Sequence, residues 1–382
     1  MTILGVFLIN EIRTGGDRRY LELLELLAER GNRVFVVMNT FLNYTPKHLT
    51  QIGLSVKYIR HKFPPASFLF RENIKKNLPF IKSKAPQIDF IHIHGDIYLK
   101  SAIFLKKVLQ VPLFYASRCN DVDRARILRG KGGLPPKEYL FSFIYEQVNL
   151  SRERQIARFA DLTTFQNAVD RDVFVKRTKY LIEKTVLIPG NIGLPRCKPE
   201  WENKNDSKSV QTIVYIGSLS PSKGLLDLLK ALAELKKRGF GGLRCCALGR
   251  AEDAGQTKRL IETLGIREMV AIEGFQYPFP SLARCDMMVY PTLYDAYPDT
   301  ALEALHTGCP VIASRVGGLT DLLKYPELLF EMGDIMEIAD RIERCVKEPS
   351  FYQHIRRLCA ERAKAHHFDW AARFEEAMKK RR

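Results

Sequence analysis

Two glycine-containing turns carry residues that could hold a phosphate group. Gly15 and Gly16 follow an apolar run at residues 2–9, and Lys223 and Gly224 follow a second such run. Glycine lets backbone N–H groups approach an anion, and the start of a helix favours negative charge. The alternative is a tight turn that needs glycine and a lysine that faces solvent. Neither turn matches G-x-G-x-x-G or G-x-x-x-x-G-K-[ST], so a nicotinamide cofactor and a P-loop NTPase gain no support.

Short apolar runs alternate with helix-like segments along the whole chain. Runs without polar alternation are typical of parallel strands that are buried on both faces. This order predicts an α/β fold: two Rossmann-like, doubly wound parallel-sheet domains that face each other across a cleft. The predicted strands are residues 2–9, Val34–Met38, Phe90–His94, Leu113–Ala116, Leu162–Phe165, Thr212–Ile216, Arg244–Leu248, Met269–Ile272, Met287–Tyr290 and Val311–Ala313.

A polar stretch without periodicity, residues 196–209, predicts the boundary between the two domains. We assign residues 1–192 to an N-terminal domain and residues 193–360 to a C-terminal domain. Ligands of open α/β sheets bind beyond the carboxyl ends of the strands. The turns that follow the strands are therefore where chemistry is expected.

The composition excludes several classes of protein. The chain has 382 residues, of which 46% are hydrophobic and 27% charged, as in ordinary globular proteins. No apolar stretch reaches the ~18 residues of a membrane span, and the N-terminus lacks the features of a signal peptide. The eight cysteines form no Cys-x-x-Cys pair and no zinc-type cluster. We expect a cytoplasmic protein with reduced thiols and no metal site.

Positive charge is concentrated in the first half of the chain. Residues 1–200 contain 33 basic and 18 acidic side chains, whereas the remainder contains 27 and 25. Such asymmetry indicates an anionic partner for the first half, namely nucleic acid, a membrane surface or an acidic acceptor. Because no DNA- or RNA-binding motif is present, nucleic acid is not expected as a partner.

A cluster of cations and aromatic side chains lies within residues 57–84, where Glu72 is the single acid. Cations beside exposed aromatic rings suit an anionic membrane, so we expect peripheral binding at its inner face. The alternative is that the apolar residues are core and the charges face solvent. A second basic run, residues 124–133, is expected to be a loop that contacts the acceptor. The cations assigned to the membrane or acceptor are Arg71, Lys75, Lys76, Lys82, Lys84 and Arg118.

The densest motif of the chain surrounds Asp295. Seven residues separate Asp295 from Glu303, and the segments Gly-Cys-Pro-Val and Val-Gly-Gly follow. Together with the turn at residues 217–224 and the strand that ends at His94, this pattern resembles the group 1, retaining, nucleotide-sugar glycosyltransferases of the GT-B fold. Their signature is an acid, seven residues and then Glu. The resemblance covers nearly the whole chain and is densest at residues 212–345.

The resemblance implies a role for each matched position. His94 and Asp295 would lie at the point of sugar transfer. Glu303 would bind the ribose hydroxyls of the donor, and Lys223 would neutralise its diphosphate. The fold also implies that residues 361–382 form a helix that returns to the first domain. The other donor-binding positions that the resemblance implies are Gly15, Gly16, Gly274, Phe275, Tyr297, Pro298, Asp299 and Thr300.

The implied reaction moves a sugar, with retention and without a metal, from a UDP- or GDP-sugar to a glycolipid, lipid-linked glycan or other saccharide in cell-envelope synthesis. Two positions depart from the family, which usually has Glu where this chain has Asp295 and often has Arg where it has Ser218. Arg118 could replace the lost charge. These departures leave two alternatives: a nucleotide-sugar epimerase of the same fold and a catalytically weak nucleotide-binding homologue.

Overall fold

The chain divides into two compact units, each built on one parallel sheet. The computed structural model describes residues 1–7, 15–39, 46–54, 65–132, 134, 136–192, 209–250 and 254–380. Unit 1 comprises Met1–Asn120, Gln147–Gly193 and Asp369–Arg382. Unit 2 comprises Asp121–Glu146 and Leu194–Phe368. Two parallel-sheet α/β units confirm the predicted fold class.

The strands are numbered along the described part of the chain. Those of unit 1 are β1 (Thr2–Val6), β2 (Arg33–Met38), β3 (Thr50–Gly53), β4 (Phe90–His94), β5 (Leu113–Ala116), β6 (Leu162–Phe165) and β7 (Thr185–Leu187). Those of unit 2 are β8 (Thr212–Ile216), β9 (Arg244–Leu248), β10 (Val270–Gly274), β11 (Met287–Tyr290), β12 (Val311–Ser314) and β13 (Leu329–Phe330).

The α-helices of the same residues are numbered in the same way. The first seven are α1 (Gly15–Glu29), α2 (Pro65–Lys76), α3 (Leu78–Lys84), α4 (Leu99–Leu109), α5 (Asp121–Gly130), α6 (Pro136–Phe159) and α7 (Ala168–Thr178). The others are α8 (Leu225–Lys237), α9 (Ala254–Thr263), α10 (Phe279–Arg284), α11 (Asp299–His306), α12 (Leu319–Leu323), α13 (Ile335–Lys347), α14 (Pro349–Ala365) and α15 (Trp370–Lys379).

In unit 1 the strand order is β3-β2-β1-β4-β5-β6-β7. β1 and β4 are neighbours, and the chain proceeds from them toward opposite edges of the sheet, so the order reverses between them. All residues of both strands are buried, which explains why their sequences are apolar almost without interruption. Ligands of doubly wound sheets bind at such a reversal. Gly15 begins α1, the helix that follows β1, and His94 is the last residue of β4.

Unit 2 has the strand order β10-β9-β8-β11-β12-β13, with the reversal between β8 and β11. Lys223 lies in the turn after β8, and Asp295 lies in the turn after β11. Helix α8 covers this sheet with one apolar stripe, in which Leu228 and Leu232 are fully buried. That stripe also packs against α13. The topology therefore brings the two charged turns to the same edge of the sheet.

Three short strands have no counterpart among the predicted ones. β3, β7 and β13 have four, three and two residues, and each is the edge strand of its sheet. An edge strand this short leaves no long apolar run in the sequence. β10 begins one residue later than predicted and extends to Gly274. The predicted continuation of β1 through residues 8 and 9 lies outside the described residues.

Helix α15 belongs to unit 1 although it lies at the end of the chain. Its Phe374 ring is buried and contacts His92 edge-on, with 5.9 Å between ring centroids. Arg30, which follows α1, donates to Asp369 at 2.5 Å and to Glu375 at 2.8 Å. Contacts with His92 and α1, together with the ion pairs to Arg30, thus hold the last helix on the first unit.

Replacing Phe374 by alanine should lower the free energy of unfolding by about 3–5 kcal/mol, because it leaves a cavity between α15 and β4. Urea denaturation followed by circular dichroism measures this loss. The matched control is Glu376→Ala, which removes an exposed ion pair with Lys380 and should cost less than about 1 kcal/mol. Equal losses in the two variants would contradict this account of α15.

Candidate functional site

Asp295 is the centre of a hydrogen-bonded cluster in unit 2. Its carboxylate accepts hydrogen bonds from Lys223 Nζ at 2.6 Å and from the Tyr290 hydroxyl at 2.9 Å. Lys223 Nζ also donates to the Tyr290 hydroxyl at 3.2 Å. Burial alone would lower the pKa of Lys223, but Asp295 and Tyr290 raise it above its ordinary value. Lys223 and Asp295, predicted separately, are therefore in direct contact, and the lysine is charged.

Tyr290 is a member of this cluster that sequence reasoning missed. It is the last residue of β11 and is buried. Burial first, and then Asp295, raises the pKa of its hydroxyl, which therefore keeps its proton to share with the carboxylate. In the sequence an aromatic residue at this point is indistinguishable from core. Its position just before a turn that follows a strand was the only available signal.

The turn after β8, residues 217–224, packs directly on the turn after β11. Gly224 has φ +71°, and a Cβ atom there would lie 1.7 Å from the carbonyl oxygen of Pro291. Within the turn, the hydroxyls of Ser218, Ser220 and Ser222 form a chain with O···O distances of 2.9 and 3.0 Å. Ser218 occupies the position where the family often has arginine, and its hydroxyl forms a hydrogen bond with Ser220 of the same turn.

Two glycines after β12 support the turn that contains Asp295. The N–H of Gly318 donates to the Asp295 carbonyl at 3.0 Å. A Cβ atom on Gly318 would lie 1.5 Å from the carbonyl oxygen of Ala296, and Gly317 has φ +47°. Only glycine allows this close approach of two backbones. The Val-Gly-Gly segment of the motif therefore holds the Asp295 turn in place.

Helix α11 begins beside this cluster. Pro298 is its N-cap, and the first N–H groups of a helix have no partner within it. The Thr300 Oγ1 atom is buried and has no hydrogen-bond partner among the described residues. Asp299 and Glu303 are four residues apart, hence on one face of the helix, and Glu303 is buried. The start of α11 thus offers backbone donors, an unpaired hydroxyl and a buried carboxyl group.

Tyr297 connects the same turn to the end of α14. Its hydroxyl lies 2.5 Å from His366 Nε2, and His366 Nδ1 lies 2.7 Å from the carbonyl oxygen of Arg362. A carbonyl only accepts, so Nδ1 carries the proton and Nε2 accepts from Tyr297. The Tyr297 N–H donates to the Asp295 carboxylate at 3.2 Å. His366 therefore orients a residue that contacts Asp295, a relationship between distant residues that the sequence did not indicate.

Gly274 and Phe275 lie at a different strand of unit 2. Gly274 ends β10, and β9 separates that strand from β8. The Phe275 side chain is exposed, and the Arg250 guanidinium lies 4.8 Å from the centre of its ring. Phe275 thus presents a flat aromatic surface two strands away from the Lys223–Asp295 cluster.

His94 ends β4 in unit 1 and is buried. Burial, assisted by the nearby charges of Arg118 and Arg19, holds the pKa of His94 well below its ordinary value. The imidazole is therefore neutral near pH 7, and its Nδ1 atom has no hydrogen-bond partner among the described residues. His92 lies on the same face of β4, and both rings contact Tyr20.

Arg118, which follows β5, lies against the glycines of unit 1. A Cβ atom on Gly16 would lie 2.0 Å from its guanidinium, and one on Gly95 would lie 2.6 Å from its Cδ atom. Arg118 also pairs with Asp17 at 3.4 Å. Because Arg118 also influences His94, the predicted residues Gly16, His94 and Arg118 form one group. Gly15 is the first residue of α1 rather than part of the turn before it.

The basic cluster at residues 57–84 contains both core residues and exposed ones. Residues 57–64 lie outside the described part of the chain. In α2 and α3, Phe70, Ile74 and Ile81 are buried core, whereas other aromatic and apolar side chains of the cluster are exposed. The exposed residues are Phe68, Leu69, Lys75, Lys76, Phe80, Lys82 and Lys84, and Arg71 is half-buried beside Glu72.

The expected loop at residues 124–133 is wrong for most of its length, because residues up to Gly130 belong to α5. Val122 and Leu128 of that helix are buried. Arg126 and Arg129 each donate to Glu146 of α6 at 2.8 Å. Two apolar anchors and these ion pairs stabilise a helix in a sequence that is rich in arginine and ends in glycine. Gly133 lies outside the described residues.

The described residues contain neither a metal site nor a membrane-spanning helix. There, no group of three or more His, Cys, Asp or Glu side chains is arranged to hold a metal ion. In the same part of the chain, no helix combines the length and the apolar character needed to cross a bilayer.

Replacing Gly318 by alanine should destabilise unit 2 by about 1–3 kcal/mol, since the new methyl group overlaps the Ala296 carbonyl. The displaced turn should also alter the environment of Tyr290 and Tyr297 in near-ultraviolet circular dichroism. The matched control is Gly242→Ala, where a Cβ atom meets nothing within 4 Å. Unchanged stability in Gly318→Ala would disprove the close packing described above.

Stability should fall as the pH drops below about 6.5, the ordinary pKa of histidine. Burial lowers the pKa of His92 to about 3. Between these values the unfolded chain binds a proton that the folded chain does not. Each such histidine then lowers the free energy of unfolding by up to about 1.4 kcal/mol for each pH unit of acidification. His92→Leu should remove one such contribution from urea unfolding measured between about pH 4 and 6, whereas Phe90→Leu in the same strand should not.

Part of the chain matches the model of a known protein family. Residues 198–365 match the model of the family described as glycosyl transferases group 1. An uncharacterised glycosyltransferase of Methanocaldococcus jannaschii is 22% identical over 178 residues, which span 45% of this chain and 44% of that relative. The chain therefore matches less than half the length of that protein.

Solved structures show the fold of the whole chain. Sucrose-phosphate synthase from Thermosynechococcus elongatus aligns over 99% of this chain and 98% of that chain, with a TM-score of 0.79 and 18% identity. Anabaena HepE in complex with UDP-glucose aligns over 100% and 99%, with a TM-score of 0.72 and 18% identity. These findings agree with the resemblance read from the motifs: residues 198–365 match the group 1 glycosyltransferase model, and the whole chain has the GT-B fold.

Proposed function

We propose that this enzyme transfers a sugar from a nucleotide-diphosphate sugar to a saccharide or glycolipid acceptor, with retention of anomeric configuration. The observation that carries the proposal is the contact between Lys223 and Asp295 at the strand reversal of unit 2, beside the start of α11. A charged lysine and the backbone N–H groups at the start of a helix together suit a diphosphate.

The diphosphate is the leaving group of the proposed reaction. Breaking the bond to the sugar builds negative charge on the diphosphate and positive character on the sugar. Lys223 keeps its proton and can stabilise that negative charge, and the first N–H groups of α11 add to the effect. A charge-assisted hydrogen bond of this kind contributes about 1.5–3 kcal/mol. In this proposal the protein's own cations and amides supply the stabilisation, and no metal is required.

The remaining predicted residues take roles that match their environment. Glu303 accepts hydrogen bonds from the ribose hydroxyls, and the unpaired Thr300 hydroxyl donates to the diphosphate or the sugar. Phe275 offers an exposed ring for the base. UDP is the first candidate base, because the Anabaena protein of this fold was solved with UDP-glucose.

His94 and Asp295 are proposed to contact the sugar that is transferred. The neutral His94 ring has an unpartnered Nδ1 atom, so it can exchange a hydrogen bond with a sugar hydroxyl without adding charge. The Asp295 carboxylate is held by Lys223 and Tyr290 and can stabilise positive character on the sugar. Arg118, next to His94, is suited to a phosphate or carboxylate of the acceptor.

A membrane-associated acceptor is the second part of the proposal, with a role in cell-envelope glycan synthesis. In α2 the Arg71 guanidinium lies 4.9 Å from the centre of the exposed Phe68 ring, and α3 exposes both Lys84 and Phe80. Lys84 lies 5.6 Å from the centre of the Phe80 ring. Each cation near an anionic surface contributes about 1 kcal/mol, so the cluster supports reversible, salt-sensitive binding.

Glu303→Ala should weaken UDP binding by at least about tenfold, because the ribose hydroxyls lose a charged acceptor. Thermal-shift titration against UDP, GDP and ADP measures this and names the base, since ligand at 100 times its dissociation constant stabilises by about 2.7 kcal/mol. Glu348→Ala, which removes an exposed pair with Arg344, is the control. No shift with any nucleotide, or equal shifts in both variants, would refute the donor site. Donor consumption without an acceptor would instead indicate an epimerase.

Charge reversal of Lys75, Lys76, Lys82 and Lys84 to glutamate should reduce co-sedimentation with phosphatidylglycerol vesicles by at least about tenfold near 0.1 M salt. Lys236→Glu with Lys237→Glu, in the exposed last turn of α8, is the matched control. Vesicle binding that survives the quadruple reversal and ignores salt would rule out an electrostatic role for this cluster.

A further inference from the structure

The first half of helix α6 exposes an unusual apolar surface. Between residues 139 and 145, every side chain except Ser142 is large and apolar, and each of these six is 47–72% exposed. Isolated exposed apolar residues are normal, but a contiguous group marks an interaction surface. We call this group the α6 face; its members are Tyr139, Leu140, Phe141, Phe143, Ile144 and Tyr145.

The helix is attached to the protein by its polar residues. Ser142 and Glu146 are buried, and Glu146 accepts hydrogen bonds from Arg126 and Arg129 of α5. Consecutive helical residues turn by about 100°, so the six exposed residues cover about 240° of the circumference. An ordinary surface helix has the opposite arrangement, with apolar residues inward and polar residues outward. The α6 face is thus a convex apolar ridge on a helix whose buried Glu146 forms ion pairs with α5.

We propose that the α6 face inserts into the interfacial region of a lipid bilayer. The inference rests on the proposed membrane-associated acceptor and adds which part of the chain enters the lipid. A bilayer accepts a convex apolar ridge without a matching groove, whereas a folded partner would have to surround about two-thirds of the helix. Tyr139 and Tyr145 combine apolar rings with hydroxyls that suit the headgroup level.

The charges around the ridge are compatible with an anionic lipid surface. Arg124 and Arg126 of α5 pair with Asp121 and Glu146, and each keeps about half of its side chain exposed, at 50% and 48%. Lys131 follows that helix and is exposed. Glu138 is the exposed acid on α6 and lies in its first turn, where a carboxylate favours the helix terminus. Cations next to inserted aromatic side chains are the usual composition of interfacial helices.

The α6 face and the basic cluster of α2 and α3 would bind through different forces. Attraction between lysines and anionic lipid is screened as salt increases. Burial of the apolar ridge in lipid is not screened and does not need anionic headgroups. The two contributions can therefore be separated by salt and by lipid composition on the intact protein.

The experiment measures co-sedimentation of the full chain with vesicles of phosphatidylcholine alone and of phosphatidylcholine with phosphatidylglycerol, near 0.1 M and 0.5 M salt. The test variant combines Leu140→Ser, Phe141→Ser and Ile144→Ser, which are exposed and should leave folding intact. The matched control combines Leu181→Ser and Ile182→Ser, which are equally exposed in unit 1. Circular dichroism and thermal unfolding verify that both variants fold.

If the α6 face inserts, the wild-type chain still binds vesicles at high salt. The vesicle binding of the test variant at high salt is then at least about tenfold weaker. The control binds like the wild type. Replacing Tyr145 by tryptophan should give emission that shifts to the blue with vesicles and is quenched by brominated lipid. Equal binding of test variant and wild type, or tryptophan emission that ignores the vesicles, overturns the inference.

Light scattering on the same samples tests the alternative that the α6 face binds a second copy of the chain. A wild-type dimer that the test variant converts to a monomer, without a change in vesicle binding, would make the α6 face a contact between two copies and overturn the inference. The donor titration with Glu303→Ala is independent of lipid. A chain that binds UDP but no vesicles would therefore contradict only the membrane inference. A chain that binds vesicles but no nucleotide would contradict only the proposed transferase function.

Discussion

The hydrogen-bonded ion pair between Lys223 and Asp295 is the constraint on which the site in unit 2 depends. It joins the turns after two neighbouring strands, β8 and β11, and a pair of charges removed from water must stay matched, because losing one partner leaves the other poorly solvated. The glycines around it follow from that need. Gly224 allows one turn to approach the backbone of the other, and Gly318 allows the next loop to support the turn of Asp295. Residues that form separate motifs in the sequence thus together maintain the contact between Lys223 and Asp295.

The same pair explains how the proposed donor could bind at low cost. A diphosphate that reaches Lys223 replaces one anionic partner by another, so the lysine is never left without a counter-charge. Asp295 keeps the Tyr290 hydroxyl and the N–H of Tyr297 as partners. With Asp in place of the family's usual Glu, the carboxylate is one methylene shorter, and the Tyr290 hydroxyl lies within hydrogen-bonding distance of it. That contact is a physical reason why the departure at this position is compatible with a working site.

Sequence reasoning succeeded where the signal is local and failed where it depends on contacts between distant residues. The central strands were predicted because burial on both faces leaves an apolar run, and the turns with Lys223 and Asp295 were predicted because they follow those strands. Tyr290 and His366 were missed, since their partners lie in other turns and nothing in their own neighbourhood marks them. α5 was mistaken for a loop because its stability comes from ion pairs to Glu146. The orientation of α6 was equally hidden: its sequence shows where apolar residues are, but not that the polar ones face the protein.

The two units apply one physical rule with different chemistry. In each unit, a glycine lies next to the point where the strand order reverses and permits close packing there. A cation accompanies that glycine: Arg118 packs against Gly16 in unit 1, and Lys223 precedes Gly224 in unit 2. Both cations pair with a carboxylate, Lys223 with Asp295 at 2.6 Å and Arg118 with Asp17 at 3.4 Å. The difference is that Arg118 also lies near His94, whose burial keeps it neutral. One unit therefore offers a close ion pair suited to exchange with a diphosphate, and the other offers an arginine beside a neutral hydrogen-bonding ring. That division of labour agrees with the sequence, in which the excess of basic residues lies almost entirely in the first half.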